Sequence, residues 1–548
     1  MLEPVVYNTS EICWAHGVRH VVLSPGSRNA PLTISFARND KVKKWIIPDE
    51  RSAGFVALGI AQKLQQPVVL CCTSGTAVLN YAPAIAEAFY REIPLIVLSA
   101  DRPPELVDQR DGQTIRQFEV LKNHVKVSKQ LPIVKEVEDQ QVYKKGLMDA
   151  VRLSQQLPKG PVHVNIPFRE PFYPSEDQEL IFTHTPSWEA DVTVSNSIEF
   201  PSKKEFAGKK VLVLIGQSNL DPVLAKALGK HQSSVPVLKS PLSNLDTKGI
   251  DNLDFFLQDQ TELKPDVLIT SGLSVLSKKL KNFLRTNKPK KHFHFDPAGV
   301  PINTYETDPT IIKASLSTFL NKTDLDSDSR YLQKWEKLSE LAGQAIGSIV
   351  PTLAYCETTA FYQVLKSLPN DVELHLGNSM PVRFAELFGA ADALTTWSNR
   401  GTSGIDGCTS TAVGTSLVSQ QLNVLLTGDV SFLYDRNAFF NNYRATNLRV
   451  IVFNNQGGGI FRLIDGPKNL PELEKYFETR HDRTAEYICA ENKIRYFPVK
   501  NSEDLIERLN GFYEPSQAPQ LLEIFTDPVT NENVFKELKK HIHEQINL

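Results

Sequence analysis

Residues Gly428–Phe461 read GDVSFLYDRNAFFNNYRATNLRVIVFNNQGGGIF. The apolar run NVLLTG (Asn423–Gly428) ends in Gly-Asp, a helix-like segment follows, and a second apolar run, LRVIVF (Leu448–Phe453), ends in Asn454, Asn455 and three glycines. In a doubly wound sheet the loops at the carboxyl ends of parallel strands lie side by side at the ligand crevice, so Asp429 and Asn455 are expected to meet. A carboxylate, a side-chain amide and exposed glycine backbone supply hard oxygen donors, which Mg²⁺ accepts together with a diphosphate. The stretch reads as a seat for a metal and a diphosphate.

Outward from this stretch, the chain is large enough for several cores: 548 residues, at about 150 per domain, give three or four domains. With 41% hydrophobic and 22% charged residues, neither disorder nor a fibrous repeat is indicated. A net charge of -3 argues against a nucleic-acid-binding surface. Six cysteines without a CxxC pair make neither a disulfide framework nor a zinc site. Adjacent Cys71 and Cys72 read as small buried apolar residues. The start, MLEPVVYNTSEICWAHG, lacks a signal pattern, and no run approaches membrane-spanning length. A soluble, reduced, cytoplasmic protein with no nucleic-acid partner and no membrane span is expected.

The N-terminal third repeats strand, turn and helix. VRHVVLS (Val18–Ser24) runs into Pro-Gly-Ser-Arg-Asn and a helix-like APLTISFAR. A glycine turn opening a helix offers backbone N–H groups to an anion, and Arg28 can add a carboxylate clamp, although such turns are common without function. After KKWII come Asp49, Glu50 and Arg51 and a helix rich in small residues. Helix-dipole stabilisation would favour an ionised acid here, whereas desolvation would raise the Glu50 pKa and permit proton exchange near neutral pH. Both readings stay open. Strand PVVLCC with turn TSGTA follows, then strand IPLIVLSA with the loop DRPPELVDQRDGQTIRQ, which carries Arg102, Gln113 and Arg116. A single loop arginine is most often solvated surface. Three arginine-bearing loops at successive strand ends read as an electropositive pocket for a substrate with several carboxylates. His163, in strand GPVHVNIP (Gly160–Pro167), reads as structural, and Tyr173–Phe206 has the composition of a linker.

Strands KKVLVLIG (Lys209–Gly216), PDVLITSG (Pro265–Gly272) and KHFHFD (Lys291–Asp296) open a second α/β series. No G-x-G-x-x-G follows any of them, which removes the main support for a nicotinamide or flavin dinucleotide. Lys278 and Lys279 are either crevice cations or a solvated helix start, and His292 and His294 lack ligand partners and read as structural. A second, acidic linker is NKTDLDSDSR (Asn321–Arg330). In the last third, VELHLGNS (Val372–Ser379) leads into MPVRFAELF, which places Arg383 about one helical turn from Asn378 and Ser379. WSNRGTSGIDGCTSTAVGTSL (Trp397–Leu417) is either a tight helix-entry loop or a close approach of backbone to a bulky ligand. Alternating strands and helices throughout predict an α/β chain of parallel sheets covered on both faces.

Gly-Asp, a helical segment and Asn-Asn together resemble the metal-diphosphate motif of the thiamine diphosphate enzymes. A glutamate near the start of an N-terminal α/β domain is similar to those enzymes' partner for the cofactor's pyrimidine. The resemblance covers essentially the whole chain. It implies three doubly wound parallel-sheet domains of the thiamine diphosphate-binding, pyruvate decarboxylase-like architecture: a pyrimidine-binding domain at 1–180, a middle domain without a cofactor fingerprint at 200–325, and a diphosphate- and metal-binding domain at 345–548. Within that superfamily, SPGSRNAPL, PDER, TSGTA, ADRPPE, IRQ, GNSMPVR, SNRGTSGIDG and NNQGGGIF, in this order, resemble the signatures of the 2-succinyl-5-enolpyruvyl-6-hydroxy-3-cyclohexene-1-carboxylate synthase family of menaquinone biosynthesis. Val430 stands where many superfamily members have Gly.

The resemblance implies roles. Asp429, the side-chain oxygen of Asn455 and the Gly457 carbonyl would hold Mg²⁺ or Mn²⁺. Thr73, Asn378, Ser403, Gly404, Gly428, Val430, Ser431, Gly458 and Ile460 would help bind thiamine diphosphate, with Glu50 on the pyrimidine and Ile405 keeping the cofactor bent. Glu50, Arg28, Arg102, Gln113, Arg383 and Arg400 would form the catalytic set. Ser27, Lys278, Lys279, Ser379, Phe461 and Ile464 would join Arg28, Arg102, Gln113, Arg383, Arg400 and Ile460 in binding substrates. The implied transferase reaction decarboxylates 2-oxoglutarate and adds the succinyl carbanion equivalent to isochorismate, in a homodimer or homotetramer with sites shared between subunits. The alternatives are another thiamine diphosphate-dependent 2-oxo acid decarboxylase or carboligase, and a non-catalytic binding protein of the same fold.

Overall fold

Three runs of alternating strand and helix each close into a parallel sheet in the computed structural model, which describes residues 3–170, 172–174, 180–188, 198–257, 260–389, 395–464 and 466–546. Part of the expected linker Tyr173–Phe206 lies outside the described residues.

The first sheet contains β1 (His20–Leu23), β2 (Lys43–Ile46), β3 (Val68–Cys72), β4 (Leu95–Asp101), β5 (Ser128–Gln130) and β6 (Val162–Pro167), in the order β2-β1-β3-β4-β6-β5 with parallel pairing. β3, β4 and β6 are buried at every position, as near-continuous apolar strands must be when helices cover both faces. His163 on β6 is wholly buried with Nε2 2.7 Å from the Ser99 hydroxyl. Burial pushes its pKa down to about 4, so it is a neutral core group, as expected.

The second sheet contains β7 (Val211–Ile215), β8 (Val237–Lys239), β9 (Val267–Ser271), β10 (Lys291–Phe295) and β11 (Thr310–Ile312), ordered β11-β10-β9-β7-β8. His292 and His294 both reach the Thr270 hydroxyl, at 2.8 and 2.9 Å, which satisfies them inside the fold.

The third sheet contains β12 (Glu373–Leu376), β13 (Thr395–Trp397), β14 (Asn423–Gly428), β15 (Leu448–Asn454), β16 (Arg495–Val499) and β17 (Gln520–Phe525), ordered β13-β12-β14-β15-β17-β16. Counted from its own first strand, this order repeats that of the first sheet. In both sheets the first and third strands are neighbours whose connections leave toward opposite edges, which makes their carboxyl ends topological switch points, where such sheets bind ligands. The loops there begin at Ser24 and Thr73 in one sheet and at Gly377 and Asp429 in the other.

By chain proximity the protein divides into two compact units, residues 1–193, 399–420 and 431–448, and residues 194–398, 421–430 and 449–548. In the first unit the helix Glu50–Leu64 packs along the helix Cys408–Ser416. A Cβ on Gly59 would sit 2.1 Å from the Thr411 carbonyl oxygen, and one on Gly414 would sit 2.1 Å from that of Val56. The small residues of both helices are therefore a packing requirement: any side chain at these glycines would force the backbones apart. In the second unit the second and third sheets share one core, in which Leu212 and Leu268 join Leu374, Leu426 and the wholly buried Trp335. Among the described residues no helix is long and apolar enough to cross a membrane.

Asp435, fully buried in the first unit, fixes the start of the helix Cys408–Ser416 by accepting from the Ser410 N–H at 2.6 Å and the Ser410 hydroxyl at 2.8 Å. Burial pushes its pKa up to about 7, against these bonds and the Arg51 guanidinium 4.0 Å away. The folded chain thus holds this proton up to about pH 7, whereas the unfolded chain releases it near 3.8. This group's contribution to stability is full below that lower value and is lost as pH rises toward 7. Asp435→Asn cannot ionise, so the wild-type melting temperature should fall relative to that of the variant between pH 4 and 7. A difference that stays constant across that range would contradict this assignment.

Candidate active site

In the first unit, β1 delivers Ser24, Pro25, Gly26, Ser27 and Arg28 to the sheet end. A Cβ on Gly26 would lie 2.3 Å from that of Thr73, so this turn and the TSG turn after β3 are in direct contact. Gly75 has φ +85, donates its N–H to Gln117 at 3.0 Å, and neighbours Gln113, whose carbonyl oxygen would be in ordinary contact, 3.4 Å, with an added Cβ. Ser27, Thr73 and Gln113 are thereby carried on segments gathered at one sheet end. Arg28 is buried, donates to the Phe168 carbonyl at 3.0 Å and lies over the Phe172 ring at 4.3 Å. Burial, and then the neighbouring Arg102 charge, lower its pKa, while Glu170, Asp111 and Asp101 oppose that shift. Arg102 pairs with Asp111 at 3.3 Å. Two of the expected substrate cations thus share one electrostatic field. Arg116, by contrast, has a side chain 84% exposed and pairs with Asp108, which is the solvated-surface reading.

Asp49, not Glu50, caps the following helix, its carboxylate accepting from the N–H groups of Arg51 at 2.9 Å and Ser52 at 3.3 Å. Glu50 is left free of the capping role and its pKa is raised, first by burial and then by the charge of Asp49, with its backbone N–H opposing. Between the two influences left open by the sequence, desolvation prevails.

The loop carrying Arg400, Ser403, Gly404 and Ile405 belongs to the same unit and is held by Glu87, a residue the sequence reading did not single out. Glu87 is completely buried and accepts from the Gly401 N–H at 2.8 Å, the Thr402 N–H at 2.7 Å and the Thr402 hydroxyl at 2.9 Å. Its one sequence signal is an acid amid the apolar residues of APAIAEAFY. Ser403 has φ 63, a left-handed conformation that costs a non-glycine residue on the order of 1–3 kcal/mol and persists where the surroundings impose it. Ser431 donates its hydroxyl to the Ile405 carbonyl at 2.7 Å, and Ile405 is 36% exposed.

In the second unit β12 is followed by Gly377, the buried Asn378 and Ser379, which takes φ 76 and ψ −122 at the entry to the helix Met380–Phe388. Arg383 reaches back one turn to donate to the Ser379 carbonyl, as its spacing predicts. Burial lowers its pKa and the Asp254 carboxylate counters that. Lys278 and Lys279 open the helix Lys278–Thr286 and are exposed, and Lys279 donates to the Asp254 carbonyl at 2.7 Å. Arg383 and Lys279 are thus related through Asp254.

Asp429 and Asn455, at the ends of neighbouring strands β14 and β15, are buried, and Asp429 is joined to the second loop through the backbone of Gly457. The Gly457 N–H donates to Asp429 Oδ2 at 2.9 Å, and the Val430 N–H donates to Oδ1 at 2.7 Å. Gly457 has φ +156, and a Cβ there would lie 2.6 Å from the Glu478 carbonyl oxygen, to which the Gly458 N–H donates at 2.8 Å. Gly428 has open space where a Cβ would be. The Asn455 Nδ2 donates to the buried Glu357 at 2.9 Å, while Asn455 Oδ1 is buried with no partner. An unmatched buried acceptor costs about 1–3 kcal/mol, and such an oxygen on one strand end with a carboxylate on the neighbouring one is a donor set that fits a hard divalent cation. Among the described residues no group of three or more His, Cys, Asp or Glu side chains is clustered to hold a metal, so the seat rests on this mixed set. Ile460, Phe461 and Ile464 follow, with the Phe461 ring 5.7 Å from that of Phe477. Absent from the sequence reading are Glu357, whose pKa burial and the Asp429 charge push up to about 7 against the Asn455 bond, and His481, whose Nε2 is 3.3 Å from Asp429 Oδ2 without hydrogen-bond geometry. Also absent is the buried Arg462–Glu478 pair behind the glycine loop.

Residues 9–120 match the family model described as thiamine pyrophosphate enzyme, N-terminal TPP binding domain. The chain is 44% identical to a 2-succinyl-5-enolpyruvyl-6-hydroxy-3-cyclohexene-1-carboxylate synthase of Cytophaga hutchinsonii, over 98% of this chain and 99% of that protein. It is 40% identical to the synthase so named in Flavobacterium johnsoniae, over 97% and 98%. For the Porphyromonas gingivalis protein of the same name the identity is 37%, over 95% and 94%.

Proposed function

The chain belongs to the 2-succinyl-5-enolpyruvyl-6-hydroxy-3-cyclohexene-1-carboxylate synthase family, and from that premise we propose that it decarboxylates 2-oxoglutarate and joins the remaining succinyl unit to isochorismate in menaquinone biosynthesis. It does so with thiamine diphosphate and a divalent metal, Mg²⁺ or Mn²⁺. The observation that carries this reading is the bond from the Gly457 N–H to the Asp429 carboxylate in a loop whose Asn455 side-chain oxygen is buried and unmatched.

Asp429, Asn455 Oδ1 and the Gly457 carbonyl hold the metal. The loop Ser403–Ile405, with Thr73, Asn378, Gly428, Val430, Ser431, Gly458 and Ile460, holds the cofactor. When bound, thiamine diphosphate supplies the electron sink for loss of CO₂. Glu50, whose carboxyl keeps its proton to higher pH than an exposed acid, exchanges that proton with the pyrimidine N1′. Arg28 and Arg102, with Ser27 and Gln113, bind substrate carboxylates, and their mutual repulsion is relieved by each anion they accept. Arg383, Arg400 and Ser379, with Lys278 and Lys279, bind the remaining acidic groups. Ile460, Phe461 and Ile464 exclude water from the reacting carbon.

The expected quaternary state is a homodimer or a dimer of dimers, in which Glu50 of one chain and the partner subunit's Asp429 serve one cofactor. The six cysteines are buried and form no disulfide among the described residues, which suits a reducing cytoplasm.

CO₂ release from 2-oxoglutarate, with thiamine diphosphate and Mg²⁺ present, should rise at least about tenfold on adding isochorismate, a difference of roughly 1.4 kcal/mol in barrier. Equal release without it would point to a simple decarboxylase. Glu50→Gln and Asp429→Ala chains, each inactive, should recover roughly a quarter of wild-type activity after mixing, because half of the resulting dimers are hybrids with one intact site. Mixtures no more active than either parent would rule out shared sites.

A further inference from the structure

Glu357 stands outside every motif that points to the proposed reaction, and nothing in its own sequence context, CETTAFYQ, marks it. It opens the helix Glu357–Ser367 and is 5% exposed. Its backbone N–H donates to Asn531 Oδ1 at 2.8 Å, and Asn531 Nδ2 in turn donates to the Thr526 hydroxyl at 3.0 Å, which anchors the start of the helix. On the other side, Glu357 Oε2 accepts from Asn455 Nδ2 at 2.9 Å. Beyond the carboxylate lies a cavity of about 10 Å³, lined also by Gly459, Arg462 and Asn531. That is room for one water at most, so Glu357 has little space in which to turn away from Asn455.

A side-chain amide is nearly symmetric in shape, and only its partners decide which end points where. Glu357 Oε2 is the acceptor at this contact, so it selects the nitrogen end of Asn455 and makes the oxygen the end left over. That oxygen is the one buried acceptor of the residue with no partner. With the amide reversed, two oxygens would face each other at 2.9 Å and an N–H₂ group, which has no lone pair to offer a cation, would stand where the unmatched oxygen now is. Gly459 packs against the same amide so closely that an added Cβ would lie 2.7 Å from Nδ2, which restricts rotation further.

We propose that Glu357 is a positioning residue that fixes the Asn455 side chain with Oδ1 presented to the divalent metal. This rests on the reading of Asp429, Asn455 and Gly457 as the metal seat. Groups that orient a ligand in this way are commonly worth 10- to 100-fold in metal affinity.

The test is Mn²⁺ affinity measured by electron paramagnetic resonance on the full chain with thiamine diphosphate present, with folding followed by circular dichroism. Glu357→Leu should weaken Mn²⁺ binding about 10- to 100-fold, whereas Glu357→Gln, whose amide oxygen can still accept from Asn455 Nδ2, should stay within about threefold of wild type. Glu357→Ala, measured in the same way, replaces the leucine variant if that does not fold. Asn455→Asp offers an oxygen at either end and needs no orienting partner, so adding Glu357→Leu to it should cost nothing further. An equal loss from Glu357→Leu in both backgrounds would overturn the proposal, as would wild-type affinity in a folded Glu357→Leu chain. If Asn455→Ala also bound Mn²⁺ like wild type, the metal seat itself would fall. A loss in Asn455→Ala alone would remove only the role of Glu357.

Discussion

The bond from the Gly457 N–H to the Asp429 carboxylate joins the ends of two buried neighbouring strands, and the second sheet-end loop takes its course from it. Gly457 can make that bond because it has no side chain: the Glu478 carbonyl occupies the place of a Cβ. Glu478 is fixed in turn by the buried Arg462, so the glycine run is trapped between a carboxylate on one strand end and an ion pair behind it. Asn455, two residues before Gly457, is consequently confined, and its oxygen remains the unmatched group.

Buried carboxylates recur as loop-setting devices. Glu87 gathers two backbone N–H groups and a hydroxyl of the Arg400–Ile405 loop, Asp435 holds the helix that follows it, and Asp49 caps the helix that begins at Glu50. In each case an acceptor with several lone pairs satisfies donors that would otherwise be orphaned at a loop or helix start. Glu50 is relieved of such duty by its neighbour and instead carries the cost of desolvation as a raised pKa. Strained residues mark the same loops, Gln113 at φ 55, Ser379 at φ 76, Ser403 at φ 63 and Gln456 at φ 65, where surrounding contacts impose conformations these side chains do not favour.

Much of this was legible in the sequence. The long central strands announce themselves as apolar runs, and the parallel α/β class follows from their alternation with helices. The meeting of Asp429 with the glycine loop, the return of Arg383 to Ser379 and the structural histidines follow from spacing and chemistry. Three-residue edge strands such as Ser128–Gln130 and Thr310–Ile312 are too short to show a period, although Gln520–Phe525, a buried run readable by the same rule, also went unassigned. Glu87 and Glu357 are hard to read for a different reason: a lone acid in a helix, even one set in an apolar run as Glu87 is, does not name its partner, which lies 314 residues away for Glu87 and 98 for Glu357. The balance between dipole and desolvation at Glu50 likewise depends on burial, which only the fold supplies.

In the proposed function the desolvated Glu50 carboxyl activates a thiamine diphosphate held by Asp429 and Asn455 of the partner subunit. The most direct measurement is the rate of hydrogen–deuterium exchange at thiazolium C2 of thiamine diphosphate bound to wild-type and Glu50→Gln chains. The account predicts exchange slowed on the order of 100- to 10,000-fold in the variant, the usual contribution of a positioned acid–base group. Exchange equally fast in both, with the cofactor bound, would contradict it.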